Sequence, residues 1–165
     1  MIHEMAAKPL LYGLLSGGDG RFTGRLKASQ GFYTQSGKFV SRDTSAGYFD
    51  VAAAADTQIM GWALVPSINA VTTWSAAGLW TSHATNAEYV DIINDPNARF
   101  LMPVSGTITE AMIGLTGDIA ISTRQYLNVA AHSTEVLVCY DFNATLSLAE
   151  VGLNPVKMHT LGITE

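Results

Sequence analysis

The chain has 165 residues, the usual size of one domain, and 48% of them are hydrophobic while 14% are charged. This composition excludes a globally disordered chain, because such chains are rich in charge and poor in apolar groups, and it suffices for a core without disulfides or metal. The net charge of −5 disfavours strong nucleic-acid binding, no apolar run reaches the roughly 18 residues of a membrane-spanning helix, and the single cysteine, Cys139, excludes an internal disulfide.

The first 45 residues differ from the rest in charge and in glycine content. They contain seven of the 15 glycines and six basic residues against three acidic ones, whereas residues 46–165 contain three basic and eleven acidic residues. A glycine-rich stretch loses much backbone entropy on ordering and has little with which to build its own core. We therefore expect residues 1–45 to form an extended basic arm that docks on another molecule, and residues 46–165 to form the folded body.

Two groups of side chains in this predicted arm are candidates for contacts with a partner. An apolar plug comes first, a turn-forming hinge follows at residues 16–20, and a basic stretch follows the hinge. We expect the plug to anchor the arm, and it consists of Leu10, Leu11, Tyr12, Leu14 and Leu15. We expect the basic side chains to meet an acidic surface on a neighbour, and they are Arg21, Arg25, Lys27, Lys38 and Arg42.

The body shows short β-like runs separated by turn residues. A spacing of about 8–12 residues between turn signals favours a mostly antiparallel sandwich or small barrel, and repeated βαβ units are absent. The runs are 47–51, 58–65, 70–74, 88–93, 99–104, 118–121, 125–129, 135–142 and 155–163. The fold class that we expect is therefore mainly β.

One short helix is predicted in the body. Thr107 and Glu110 have the spacing of a capping box, and Gly114 or Gly117 can end the helix after about two turns. We expect this helix to plug one end of the barrel with its apolar residues, which are Ile108, Met112, Ile113 and Leu115.

The residues that resemble catalytic or ligand-binding motifs have plainer structural interpretations. Glycines at 17–24 lack both the Gly-Lys-Ser/Thr ending of a phosphate-binding loop and the spacing of a dinucleotide fingerprint. The four histidines are scattered singly, which indicates no metal site. Cys139 lies in an apolar run, where a thiolate paired with His132 as its base is disfavoured and a buried, inert thiol is favoured.

Acidic and aromatic clusters are open to a structural or an interface interpretation. Glu88, Asp91 and Asp95 form the densest acidic cluster, but the odd spacing of the first two places them on opposite faces of a strand. We therefore expect this acidic cluster to form a solvated edge or to contact a neighbour's basic arm, and these roles are favoured over acid–base chemistry. The tryptophans at 62, 74 and 80 fit either an ordinary core or an interface. We expect no catalytic residue, no cofactor and no metal.

Several segments of the second half carry a family resemblance. They are NDPNARFLMP at 94–103, GTIT at 106–109, GLTGDI at 114–119 and STEVLV at 133–138, together with ADTQIMGWA at 55–63. In this order they resemble the capsid decoration, or cement, proteins of tailed bacteriophages. The resemblance implies a β-barrel clamped on the outside of an icosahedral shell, often as a trimer, with no cofactor and no chemistry.

The expected function is that of a virion structural protein, made in the host cytoplasm and placed on the capsid exterior. It would stabilise the shell by bridging major capsid subunits, with those subunits and copies of itself as partners and with no nucleic acid, membrane or small-molecule substrate. Low charge, an apolar surplus and opposite charge in arm and body favour binding to copies of itself or to a lattice. Two alternatives stay open: a head–tail joining or fibre-base component of a virion, and a small-molecule-binding β-barrel.

Overall fold

The computed structural model describes residues 13–33, 37–43, 47–64, 79–85, 88–121 and 124–158. These residues form thirteen strands and two single turns of 3₁₀ helix, so the expected mainly β fold is confirmed. The strands are β1 (Gly13–Ser16), β2 (Arg21–Arg25), β3 (Gly31–Tyr33), β4 (Lys38–Arg42), β5 (Phe49–Val51), β6 (Gly61–Ala63), β7 (Leu79–Thr81), β8 (Tyr89–Ile93), β9 (Arg99–Ser105), β10 (Thr116–Ile121), β11 (Gln125–Asn128), β12 (Leu137–Asn143) and β13 (Leu148–Leu153). The 3₁₀ turns are Glu110–Met112 and Pro155–Lys157.

Five strands close into a barrel. The order is β9-β11-β10-β12-β13, and the pairing of β13 with β9 closes the ring. β11 runs parallel to β9, and the other neighbours in the ring are antiparallel. β1 and β11 pair with the same edge of β9, one after the other. β1 pairs as far as Leu101, which lies opposite Gly13, and β11 pairs from Val104 onward. The expectation of a small barrel is therefore confirmed.

Side chains fill the interior of this barrel. β9 alternates strictly between buried and partly exposed positions, so Phe100, Met102 and Val104 point inward. Buried residues of the other barrel strands pack against these three side chains. The buried residues include Ile119, Leu127, Leu137, Cys139, Ala149, Val151 and Leu153. A five-stranded barrel is narrow enough for such side chains to occupy its interior.

A second sheet has the order β2-β8-β6-β4-β5 and packs against the barrel. Its residues Phe39 and Trp62 belong to the barrel core, where the Trp62 ring stacks on Phe100 at 5.0 Å and Phe39 packs edge-on to both rings. The opposite face covers a smaller core of its own, formed by Leu26, Phe32, Val40, Met60, Ala63, Val90 and Ile92. β3 and β7 form a separate two-stranded ribbon.

The segment expected to be an arm contributes four strands to these sheets. β1 pairs with β9, β2 with β8, β3 with β7, and β4 with both β5 and β6, so the described part of residues 1–45 pairs with the later chain instead of extending away from it. Its glycines permit this close pairing. At Gly24 a Cβ atom would come within 2.7 Å of the Phe49 ring, which packs across the strand at that point. Residues 1–12, including Leu10, Leu11 and Tyr12 of the plug, lie outside the described residues.

Two predicted elements differ from the observed ones, and a third, the run 70–74, lies outside the described residues. The expected two-turn helix is a single 3₁₀ turn. Its N-cap is Thr109 instead of the predicted Thr107, and Thr109 makes no side-chain cap hydrogen bond. Ile108 and Met112 still fill the barrel end as expected, while Ile113 and Leu115 are exposed. The expected strand at 155–163 begins instead as the turn Pro155–Lys157, its residues 159–163 lie outside the described part, and the strand preceding it, β13, was not predicted.

Candidate interaction surface

The alternation of β2 places three basic residues on one side of the second sheet. Phe22 and Leu26 turn inward to the small core, so Arg21, Arg25 and Lys27 project to the other side. β8 is antiparallel to β2, and its Tyr89 and Asp91 lie on this same side, opposite Arg25 and Thr23. We call this surface the β2–β8 face. Sequence spacing alone groups the three basic residues, but the pairing register decides which residues surround them.

Arg25 lies between two tyrosine rings on the β2–β8 face. Its guanidinium carbon is 5.3 Å from the centre of the Tyr89 ring and 5.5 Å from that of Tyr48, within the range of a cation–π contact. Tyr89 is 56% exposed. Among the described residues no carboxylate lies within 4.0 Å of Arg25, so its charge is supported by the rings and is open to an outside anion.

The other two basic residues of this face already have partners within the chain. The ammonium group of Lys27 is 2.7 Å from the Asp43 carboxylate and 3.7 Å from that of Asp50. The hydrogen bond with Asp43 raises the pKa of Lys27 above its usual value. Arg21 donates from Nε to the carbonyl oxygen of Gly18. The attraction of Lys27 for an outside acidic surface is therefore reduced.

The structure separates the remaining predicted contact residues from this face. Lys38 and Arg42 lie on β4 two residues before and after Val40, so they share its face of the sheet, which is the side opposite Arg25. Burial lowers the pKa of Lys38. Of the plug, Leu14 packs against the barrel core and Leu15 is 43% exposed.

A second candidate surface lies at one end of the barrel. β9 and β11 end there, β10 begins there, and the turn between β12 and β13 is at the same end. Three large apolar side chains are about half exposed at this end: Ile113, Leu115 and Leu146. We call this surface the apolar end of the barrel.

The glycine-rich loop at 17–20 binds a carboxylate of its own chain. The amide of Gly18 donates to Asp95 Oδ2 at 3.1 Å, and Asn97 donates to Oδ1 at 2.8 Å. The Asn97 amide is the largest cause of the lowered pKa of Asp95, and the Gly18 and Gly20 amides add to it against the opposing effect of burial. Asp95 thus holds the loop in place and occupies amides that a phosphate would otherwise contact, in agreement with a structural role for these glycines.

Cys139 and His132 are not arranged as a nucleophile and its base. The Cys139 side chain is fully buried in the barrel core, as expected, and burial raises its pKa, whereas His132 is exposed. Nowhere in the described part of the chain do three or more His, Cys, Asp or Glu side chains come together as a metal-ligand group. Within that same part, no helix has the length and apolar character needed to cross a membrane.

The sequence did not single out Tyr48, Tyr89 or Leu146. The run 88–93 predicts that Tyr89 lies on a strand. Its position opposite Arg25 depends on the register between β2 and β8, which are more than 60 residues apart in the sequence. Leu146 lies in the turn before β13, the strand that was not predicted. Of the tryptophans, Trp62 lies in the core, and the structure does not describe residue 74 or the side chain of residue 80.

Comparison with known proteins gives no match, neither to a protein-family model nor to a curated protein.

Proposed function

We propose that this protein is a capsid decoration protein, which binds the outside of a viral shell through the β2–β8 face and stabilises the shell without catalysing a reaction. Its partners would be the major capsid protein and further copies of itself. The observation that carries the proposal is the exposed Arg25 between Tyr48 and Tyr89, with no carboxylate partner among the described residues.

The chemistry of this cluster suits protein recognition. Arginine and tyrosine are enriched among the interface residues that contribute most to binding energy. The two rings restrict the Arg25 side chain before binding, which lowers the entropy that complex formation would cost. An acidic loop or chain end on the shell protein would pair with the guanidinium group and cover the exposed part of Tyr89.

Two of the described carboxylates, Asp95 and Asp118, support a binding role because they are engaged in holding the fold. Asp95 binds loop amides, and Asp118 accepts three backbone amides, from Ser133, Thr134 and Glu135, at 2.7–3.0 Å. The barrel interior is occupied by packed side chains such as Phe100 and Leu127. Within the described residues, the cluster around Arg25 is therefore the best candidate for recognition.

The test uses the heads of the virus that encodes the chain, prepared without this protein and titrated with the full-length chain. Electron microscopy then shows where the added protein sits, and co-sedimentation gives its affinity. We expect Arg25→Ala to weaken binding by about 30-fold, the effect of losing roughly 2 kcal/mol at an interface. Arg124→Ala, which removes the same charge near the start of β11, is the matched control and should change the affinity by less than about threefold.

Two results would contradict the proposal. The first is wild-type protein that stays in solution at every concentration tested, or that binds only at the vertex where a tail attaches. The second is an Arg25→Ala, Tyr89→Ala double variant that fills the shell sites at the same concentrations as wild type, which would place the binding surface elsewhere.

A further inference from the structure

Few charged residues lie in the two connections that carry the exposed side chains at the apolar end of the barrel. Ile113 is 45%, Leu115 48% and Leu146 53% exposed. Glu110 is the one formally charged residue in the two stretches that carry them, 106–115 and 144–147. Single exposed apolar residues are ordinary, but several at one end of a small barrel are typical of a surface that another molecule covers.

The barrel cannot cover these side chains with the residues that form it. Ile108 and Met112 already fill its mouth from the connection between β9 and β10. Leu115 lies two and four residues before Gly117 and Ile119, so the alternation of the strand directs its side chain to the same, inner face. It lies at the rim of the barrel, however, one residue before β10 begins. Its backbone is held there by the ladder to Cys139, which accepts from Gly114 and donates to the carbonyl of Leu115.

The described chain begins at Gly13, near the apolar end of the barrel. β1 is antiparallel to β9, so Gly13 is the residue of β1 that lies nearest the end at which β9 finishes. β11 occupies the same edge of β9 from Val104 onward, which leaves Met102 and Pro103 between the two ladders. Proline has no amide hydrogen to donate. The part of this edge that pairs with neither β1 nor β11 is therefore only two residues long and includes a proline.

The twelve residues before Gly13 have the composition that the apolar end would accept. Their apolar side chains include Ile2, Met5, Leu10, Leu11 and Tyr12. Lys8 lies two residues before Leu10, and its charge is complementary to that of Glu110. Twelve extended residues span about 40 Å, which is enough to reach an adjacent molecule.

We infer that residues 1–12 of one copy bind the apolar end of the barrel of a second copy. Leu10 and Leu11 would cover Leu115 and its neighbours, and Lys8 would pair with Glu110. The contact is heterologous, because two different surfaces meet, and such contacts form a closed ring when the rotation between copies closes. This deepens the proposed function by naming the contact between copies, and it can fail while shell binding stands.

The test measures the association of the full-length chain by native mass spectrometry and sedimentation. One variant, Leu10→Ser with Leu11→Ser, removes the inserted side chains, and another, Ile113→Ser with Leu115→Ser, removes the receiving surface. We expect each to raise the dissociation constant of the oligomer by about tenfold or more. Ile121→Ser is the matched control, because Ile121 is 48% exposed at the opposite end of the barrel, and it should leave association unchanged.

Mixing the two variants separates exchange between copies from binding within one copy. Each variant keeps the half that the other lacks, so a mixture should form a one-to-one dimer that neither forms alone. A wild-type chain that is monomeric at all concentrations overturns the inference. So does an oligomer that survives both sets of substitutions, or a mixture that remains monomeric. Near-ultraviolet circular dichroism checks that the variants are folded.

The shell titration provides a readout that is independent of self-association. If the oligomer persists and the Arg25→Ala variant still binds heads at full strength, only the proposed shell binding through the β2–β8 face is contradicted. If the Arg25→Ala variant loses head binding while the mixture of the two apolar variants remains monomeric, only the inferred contact between copies is contradicted.

Discussion

Gln125 shows how one side chain joins the barrel to the second sheet. It is fully buried, and its amide exchanges two hydrogen bonds with the backbone of Phe39, accepting from the N–H at 2.8 Å and donating to the carbonyl at 2.9 Å. A further bond goes from its Nε2 to the carbonyl of Ala52. The Phe39 carbonyl also accepts from the Ala52 N–H, whereas the Phe39 N–H and the Ala52 carbonyl bond to the Gln125 amide. A buried backbone group without a partner costs about 1–3 kcal/mol, so this amide stabilises the contact between the two sheets.

We predict that Gln125→Ala lowers the free energy of unfolding by about 2–4 kcal/mol, because it removes the side-chain partner of the buried Phe39 N–H and of the Ala52 carbonyl. Urea unfolding followed by tryptophan fluorescence measures the change. Thr57→Ala, at an exposed position, is the control and should change stability by less than about 0.5 kcal/mol. Equal effects at the two positions would show that the buried amide does not hold the sheets together.

At the scale of the element, β2 depends on a glycine at its centre. A Cβ at Gly24 would lie 2.5 Å from Ile92 Cδ1 and 2.7 Å from the Phe49 ring, whereas a Cβ at Gly31 meets nothing within 4 Å. We predict that Gly24→Ala destabilises the protein by about 1–3 kcal/mol through overpacking, and that Gly31→Ala is neutral or slightly stabilising. Urea midpoints of the two variants measure the difference.

A second substitution tests whether the Phe49 ring is the cause. Phe49→Leu alone removes packing against Phe22 and should destabilise. Combined with Gly24→Ala it makes room for the new methyl group, so the loss in the double variant should be smaller than the sum of the two single losses by about 0.5 kcal/mol or more. Additive losses would mean that Gly24 matters for a reason other than this contact.

The elements differ in how far their sequence predicts them. β9 was predicted because the turn at residues 94–97 leads into the largely apolar run 99–104. β13 was not, since Glu150 and Gly152 interrupt its pattern; Gly152 is needed where the Tyr140 and Arg99 side chains cross the strand. The spacing of Thr107 and Glu110 predicted a helix, but the chain there follows the barrel rim and completes a single turn.

The β2–β8 face could be predicted from the sequence only in part, because pairing between distant strands brings its residues together. Sequence identifies Arg25 as one of a basic set, because charge content can be counted along the chain. Its tyrosine neighbours come from β8 and from the residue before β5, and local patterns do not specify that register. Glycine content indicated an arm, whereas pairing with distant strands turned these same residues into β1–β4.

At the scale of the whole molecule, the barrel and the second sheet share one core. Phe39 and Trp62 come from the sheet and Phe100 from the barrel, and their ring centres lie 4.7–5.2 Å apart. Separating the two parts would expose all three rings, so we predict one cooperative unfolding transition. Urea curves from circular dichroism and from tryptophan fluorescence should coincide. A second transition would show that the sheet unfolds independently of the barrel.

Two carboxylates make the stability of the molecule depend on pH. Burial acts to raise the pKa of Asp118, but the amides of Glu135, Thr134 and Ser133 outweigh it and hold that pKa below its usual value; the pKa of Asp95 is lowered as well. A carboxylate whose pKa is lower in the folded state stabilises the protein above its unfolded pKa, and this contribution is lost as pH falls through the folded value. We therefore predict that the free energy of unfolding decreases from about pH 5 downward.

Asp118→Asn tests this assignment, because it removes the charge that the three amides bind. The variant should be less stable than wild type at pH 7 by about 1–3 kcal/mol, and the gap should narrow between about pH 5 and pH 3 as the wild-type carboxylate becomes protonated. Urea midpoints across this range measure the gap. Gln125→Ala is the control, since it weakens the fold without removing a charge and its curve should run parallel to that of wild type. If the Asp118→Asn curve runs parallel too, the loop at residues 133–135 is held by its packing and not by the carboxylate.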